Sequence, residues 1–145
     1  MNARILFVAI LLGIVMPDCA GVPYYELTPV QISDPGSILV GKWEGTIMTS
    51  LARRNLLSQD GPGRTLIIES VSNGKFYGQY GLANGYLGPM AGNVIVSEGH
   101  VRIEFVTYPW KAEISLGLVS PNKMSGTFMQ KLDDGRFFPM EFTKR

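Results

Sequence analysis

Cysteine and histidine are nearly absent from this chain, each occurring once among 145 residues, as Cys19 and His100. One cysteine excludes a disulfide within the chain, so packing and hydrogen bonds must hold the fold together. One histidine excludes the His/Cys clusters of zinc centres and leaves nucleophilic chemistry a single imidazole. Charge of one sign is equally scarce: 13 Lys and Arg stand against 12 Asp and Glu, for a net charge of +1. No basic stripe interleaved with aromatics appears, which excludes nucleic acid as a partner. The apolar run Ile5–Met16, about 12 residues, falls short of the ~20 needed to span a membrane as a helix. Disorder is excluded too, because 46% of the residues are hydrophobic and only 17% charged, enough for one core.

The start of the chain has the layout of a secretory signal peptide. Met1-Asn2-Ala3-Arg4 is a short positive region, the apolar run follows, Pro17 breaks it, and small residues (Cys19, Ala20, Gly21) come next. Residues 1–21 are therefore expected to be removed and the protein exported, to the periplasm, the outside or the outer membrane. Cys19 stands where a bacterial lipoprotein carries its lipid, although Met16, Pro17 and Asp18 depart from that family's lipobox. Cleavage after Gly21 is the competing reading, and it discards Cys19. A lipid at Cys19 is the one membrane attachment expected.

Residues 22–38 hold Pro23, Pro29, Pro35 and Gly36 and few apolar repeats. They read as an extended lead-in or tether with a short strand at Leu27–Ile32. From there to the end, eight short alternating segments are each bounded by a turn signal. The strands expected are Leu39–Met48, Arg64–Val71, Lys75–Tyr80, Asn93–Val96, Val101–Thr107, Lys111–Val119, Met124–Lys131 and Phe137–Thr143. Asn73-Gly74 is the strongest hairpin signal. Eight antiparallel strands joined in order close most economically into an up-and-down barrel over residues 39–145, which removes both sheet edges. A two-sheet sandwich is the alternative.

Connections in such a meander alternate between the two ends. The even ones, around Asn73-Gly74, Glu98-Gly99 and Pro121-Asn122, are tight. Two of the odd ones, Thr49–Gly63 and Gly81–Gly92, are long, so the odd end is the mouth and the place for a site. The expected ligand-binding residues are Arg53, Arg54, Tyr86, Tyr108 and Trp110 at the rim, with Phe76, Phe105 and Phe128 deeper. Ser50 can cap a helical turn over Leu51–Leu57 that covers the opening. The expected ligand is a small apolar molecule. The alternative comes from the inward aromatics Trp43, Phe76, Phe105, Phe128, Phe138 and Phe142, which can fill so small a barrel and leave an interaction or inhibitor module for an envelope protein. Gly45, Gly78 and Gly126 share the inward phase and either leave room or let the strands bend.

Catalytic residues, metal ligands and a cofactor are not expected. Glu69, Glu104, Glu113 and Glu141 lie on the outward phase, so no carboxylate pair faces the interior. His100 falls in a closed-end hairpin and reads as a solvated turn residue rather than a haem ligand.

Gly41-Lys42-Trp43-Glu44-Gly45, at the start of the first barrel strand, resembles the Gly-x-Trp signature of lipocalins and related calycin barrels. The resemblance implies that Trp43 plugs the closed end and that a basic residue near the chain's end, Lys144 or Arg145, packs across its ring. It also implies a long first loop lidding the mouth. The C-terminal helix and second motif of classical lipocalins have no counterpart here. The first strand and the Asn73-Gly74 hairpin also resemble avidin-type barrels, but Gly45 stands where a polar contact to biotin belongs, which argues against that ligand.

Overall fold

Alternation at period two carries through to the structure, a computed structural model that describes residues 23–47, 63–108, 111–130 and 137–145. The signal-like segment with Cys19, the helical turn expected after Ser50, Arg53, Arg54 and Trp110 all lie outside the described residues. Two short helices, α1 (Pro29–Ser33) and α2 (Gly36–Leu39), precede eight strands. These are β1 (Gly41–Ile47), β2 (Arg64–Ser72), β3 (Lys75–Leu82), β4 (Leu87–Ser97), β5 (His100–Val106), β6 (Glu113–Ser120), β7 (Lys123–Met129) and β8 (Phe137–Lys144). Each pairs antiparallel with the next, and β8 returns to β1 with Trp43 opposite Lys144 and Gly45 opposite Phe142. The protein is a closed eight-stranded up-and-down barrel, and the closing β1–β8 ladder rules out the sandwich.

Two of the tight turns show why they close. Asn73-Gly74 and Glu98-Gly99 all take positive φ, from 50° to 76°, the backbone of two-residue hairpins whose twist matches that of the strands. Inward positions carry the core: Trp43, Leu66, Phe76, Ile103, Leu116, Met124, Met140 and Phe142 are all fully buried. Outward positions carry ion pairs, Lys42–Glu44, Arg102–Glu104 and Lys123–Glu141, at 2.7 to 3.1 Å. Such exposed pairs contribute little, ~0–1 kcal/mol each, so burial of the inner face dominates. Apolar in and charged out is the reverse of a membrane barrel.

The inward glycines let neighbouring strands approach closely rather than leave room. A Cβ on Gly126 would run into the Ser115 carbonyl, and one on Gly78 into the Ile67 carbonyl, backbone that cannot yield. Gly126→Ala is therefore expected to lose about 1–3 kcal/mol by overcrowding in urea unfolding. An unobstructed glycine would gain stability from the same change, so a neutral or stabilising result at 126 would contradict the close approach.

Residues 23–38 differ from the tether expected over 22–38. Thr28 caps α1 with a reciprocal capping box to Gln31, and Pro29 occupies the first turn. That arrangement favours a helix over the short strand expected at Leu27–Ile32. The segment lies across the closed end: Tyr25 N–H donates to the Leu118 carbonyl and Leu27 N–H to the Gly99 carbonyl, at 2.9 and 2.7 Å. His100 Nδ1 lies 3.1 Å from the Tyr25 carbonyl, so this nitrogen carries the proton and helps hold the segment down. Leu27, Ile38 and Leu39 are buried against the core. Leu39 belongs to α2 rather than β1. Gly41, at φ 140°, turns the chain from this plug into the barrel.

Trp43 lies at the centre of the closed end, with its Nε1–H donating to the Leu39 carbonyl at 2.8 Å. Lys144 Nζ stands 5.3 Å from the centre of the Trp43 ring and donates to the Ile38 carbonyl at 2.8 Å. Arg145 instead pairs with Glu44 at 2.8 Å. That bond and the Lys42 bond hold the Glu44 carboxyl below the usual carboxylate range, the Lys42 bond most strongly.

Candidate functional site

At the other end of the barrel the wall encloses space. Gly81–Gly92 is not the long loop expected there: β3 runs on to Leu82, β4 begins at Leu87, and Gly81 pairs with Leu87. The inward positions of this extension are Gly88, Met90 and Gly92, too glycine-rich to show an apolar alternation in sequence. The extended ladder builds a wall around a cavity of about 930 Å³. Among the described residues, Tyr80, Met90, Phe128 and Ala112 line its inner part, and Leu82, Pro89, Tyr86 and Tyr108 its outer part. Arg64, Thr107 and Gln130 are the other polar contributors.

Below the cavity the barrel is solid. The Tyr80 ring meets Phe105 edge-on with centroids 5.3 Å apart, and Phe105 meets Phe76 in the same way at 5.6 Å. This three-ring stack is a floor, so Phe76 and Phe105 support the cavity from beneath and do not line it. Of the three phenylalanines expected deep in the site, only Phe128 reaches the cavity. Tyr86 and Tyr108 stand on the rim, 83% and 77% exposed. Phe128 packs against Phe138, with centroids 6.4 Å apart.

Ten of the thirteen lining residues fell outside the expected set, and two of those ten, Arg64 and Tyr80, carried a readable signal. The signal was their phase: Arg64 alternates with the inward Leu66 and Ile68, and Tyr80 with the inward Phe76. A charged or hydroxylated residue in step with a core face points into the barrel. In the register Tyr80 lies opposite Leu66, two positions inward of Arg64 on the same face, a diagonal that long side chains can span.

The Tyr80 hydroxyl is buried with no well-aligned hydrogen-bond partner among the described residues. Burial pushes its pKa up to about 12, against a smaller downward pull from the nearby Arg64 charge and its hydrogen bonding. The phenol therefore stays neutral and keeps its proton to donate. By contrast, the Thr107 hydroxyl accepts from the Ala112 N–H at 3.3 Å and closes the β5–β6 connection.

The Tyr80 proton meets no acceptor among the described residues, which costs more than the contact with Arg64 returns, so Tyr80→Phe is expected to stabilise the protein by about 1 kcal/mol or less. The alkaline limb should change as well. A tyrosine whose folded pKa is raised contributes stability that is intact below pH 10 and lost as pH climbs towards about 12. Tyr80→Phe removes that part of the loss. Urea unfolding at pH 7.5 and at pH 11 checks both; a destabilised variant at pH 7.5 would show that the hydroxyl has a partner.

Among the described residues no three His, Cys, Asp or Glu side chains gather as a metal site, and no helix is long and apolar enough to cross a membrane. Comparison with protein-family models, curated proteins and solved structures gives no match to this chain. The cavity's own geometry therefore carries the functional argument.

Proposed function

We propose that the protein binds one small, largely apolar molecule in the mouth cavity and carries or stores it outside the cytoplasm. The observation that carries this reading is a cavity of about 930 Å³ above a solid aromatic floor, at the upper end of the ~300–1,000 Å³ usual for ligand pockets. Its walls supply apolar surface from Tyr80, Met90, Phe128 and Leu82, with a few polar groups placed to orient a ligand. The Gly-x-Trp start and the Lys144 cation over the Trp43 ring support kinship with lipocalin-type barrels, in which such a site is the usual one. Export rests on the signal-like residues 1–21, and a lipid at Cys19 would anchor the barrel to a membrane.

A second reading draws on the rim. Tyr86, Tyr108 and the half-exposed Leu82 form an apolar edge that an envelope protein can contact. Titration with the neutral dye Nile red separates the two. The cavity reading expects saturable binding of one equivalent with blue-shifted emission. Emission unchanged from dye in buffer would leave the rim-contact reading as the better one.

A further inference from the structure

The chain ahead of α1 lies on the outside of the barrel, and its direction leads to a second feature there. Tyr25 N–H donates to the Leu118 carbonyl and Leu27 N–H to the Gly99 carbonyl. Followed backwards from Leu27 to Tyr24, this arm therefore leaves the closed end and runs along β6 towards the mouth. Gly117 belongs to the outward phase of β6, between the inward Leu116 and Leu118, yet it is buried. The Tyr24 ring covers it, and a Cβ at 117 would run into that ring. The same ring meets His100, with centroids 6.2 Å apart. So the arm is packed onto the wall right up to the start of the described residues at Pro23.

Ahead of it, the same outer face holds a groove of about 290 Å³. Glu104 and Ser115 form its near row. Val106, Glu113, Met129 and Phe137 form its far row, each opposite the next in the register from β5 to β8. Val106 and Phe137 are left 39% and 66% exposed, on a face that otherwise carries ion pairs. The volume is at the lower bound of the ~300–1,000 Å³ of ligand pockets, room for a few small side chains.

We propose that residues Cys19–Val22 occupy this groove, continuing the arm along β6 in any form of the chain that retains them. An extended chain and a strand both advance ~3.3 Å per residue, so the arm keeps pace with β6. Val22 then falls beside Ser115, Ala20 beside Glu113, and Cys19 at the row of Val106 and Phe137. The occupants are small (Cys19, Ala20, Gly21 and Val22), as a shallow groove requires, and they cover apolar surface that is otherwise left to water. The direction also decides where the start of the chain emerges, beside the mouth rather than at the plugged end. A membrane anchor at Cys19 would then set the mouth, not the plug, against the lipid.

Cys19 is the only cysteine of the chain, so its own thiol reports the position. The full chain is synthesised cell-free without membranes, which keeps every residue, and carries one added cysteine. A short thiol-to-thiol cross-linker is then applied at high dilution. Met129→Cys places the second thiol in the far row, opposite Glu113, four residues before Gly117. Asn122→Cys places it on an exposed turn five residues past Gly117, in the other direction. A seated arm is expected to link Cys19 to position 129 at least about tenfold faster than to position 122, because seating raises the effective concentration at one site only. Similar rates at both positions describe a free tether and would overturn the proposal. Links between two chains in place of links within one would assign the groove to a second copy and overturn it as well. Val106→Cys, on the other flank of Glu113, repeats the measurement if Met129→Cys does not fold. If neither folds, the unsubstituted chain decides: Cys19 should react with a maleimide more slowly in the folded protein than in urea, and equal rates would overturn the seat.

Discussion

Trp43→Ala is expected to destabilise the protein by about 3–5 kcal/mol, the usual cost of truncating a fully buried large aromatic. Three losses combine at this position. The ring leaves a cavity at the centre of the closed end, where its exposure is 0%. The Leu39 carbonyl loses the indole N–H that now meets it at 2.8 Å. Lys144 loses the ring beneath it and keeps only its bond to the Ile38 carbonyl. The plug formed by residues 23–39 rests on these contacts, so its protection from hydrogen exchange should fall with the mutation. Packing, rather than charge, dominates. A cation over an aromatic ring contributes roughly 0.5–1 kcal/mol at a partly exposed site, and burial already lowers the Lys144 pKa, which offsets some of that gain. Lys144→Met should therefore cost about 1 kcal/mol or less. Urea unfolding of both variants checks the ranking; a larger loss in Lys144→Met than in Trp43→Ala would reverse it.

Gly88→Trp is expected to weaken ligand binding strongly while leaving the barrel folded. Gly88 lines the cavity, and a Cβ there meets nothing closer than the Tyr86 ring at 3.5 Å and the Tyr80 carbonyl at 4.0 Å. A side chain can therefore be added without moving backbone, unlike at Gly78 or Gly126. Tryptophan brings the largest side chain into the cup and obstructs the wall beside Tyr80 and Tyr86 against which a ligand packs. Nile red affinity should fall roughly a hundredfold or more, equivalent to about 2.7 kcal/mol of binding, with unfolding stability within about 1 kcal/mol of the parent. Gly88→Ala, which occupies little of the space, should bind as the parent does. Retained binding in Gly88→Trp would place the ligand elsewhere.

The wall of the barrel was legible wherever one face was filled by large apolar side chains. Val101, Ile103 and Phe105 against Arg102 and Glu104 set a strand, a face and a register partner. Legibility failed in two places, each for a physical reason. The α1 capping box uses Thr28 and Gln31, residues that also suit an extended lead-in, so the helix shows only when the two are read as a pair. The first half of β4 faces a cavity and neighbouring strands through Gly88, Met90 and Gly92, and a strand with little to bury carries no alternation. The same effect governs the site. Tyr86 and Tyr108 were placed at the rim by topology alone, while the depth at which the core ends was not visible in composition. Phe76 and Phe105 therefore form the floor where a cavity lining was expected. Arg64 and Tyr80 were readable through their phase, as polar residues in step with a core face.

The central claim, that the mouth half of the barrel is a ligand cup above a solid half, is tested most directly by amide chemical-shift mapping during titration with 1-decanol. The account predicts shifts confined to Gly81, Gly88, Met90, Thr107, Phe128 and Gln130, with Phe76, Leu116 and Met124 unmoved. Shifts spread over the outer face at Val106 and Met129, shifts at the closed end around Trp43, or no shifts at all would contradict it.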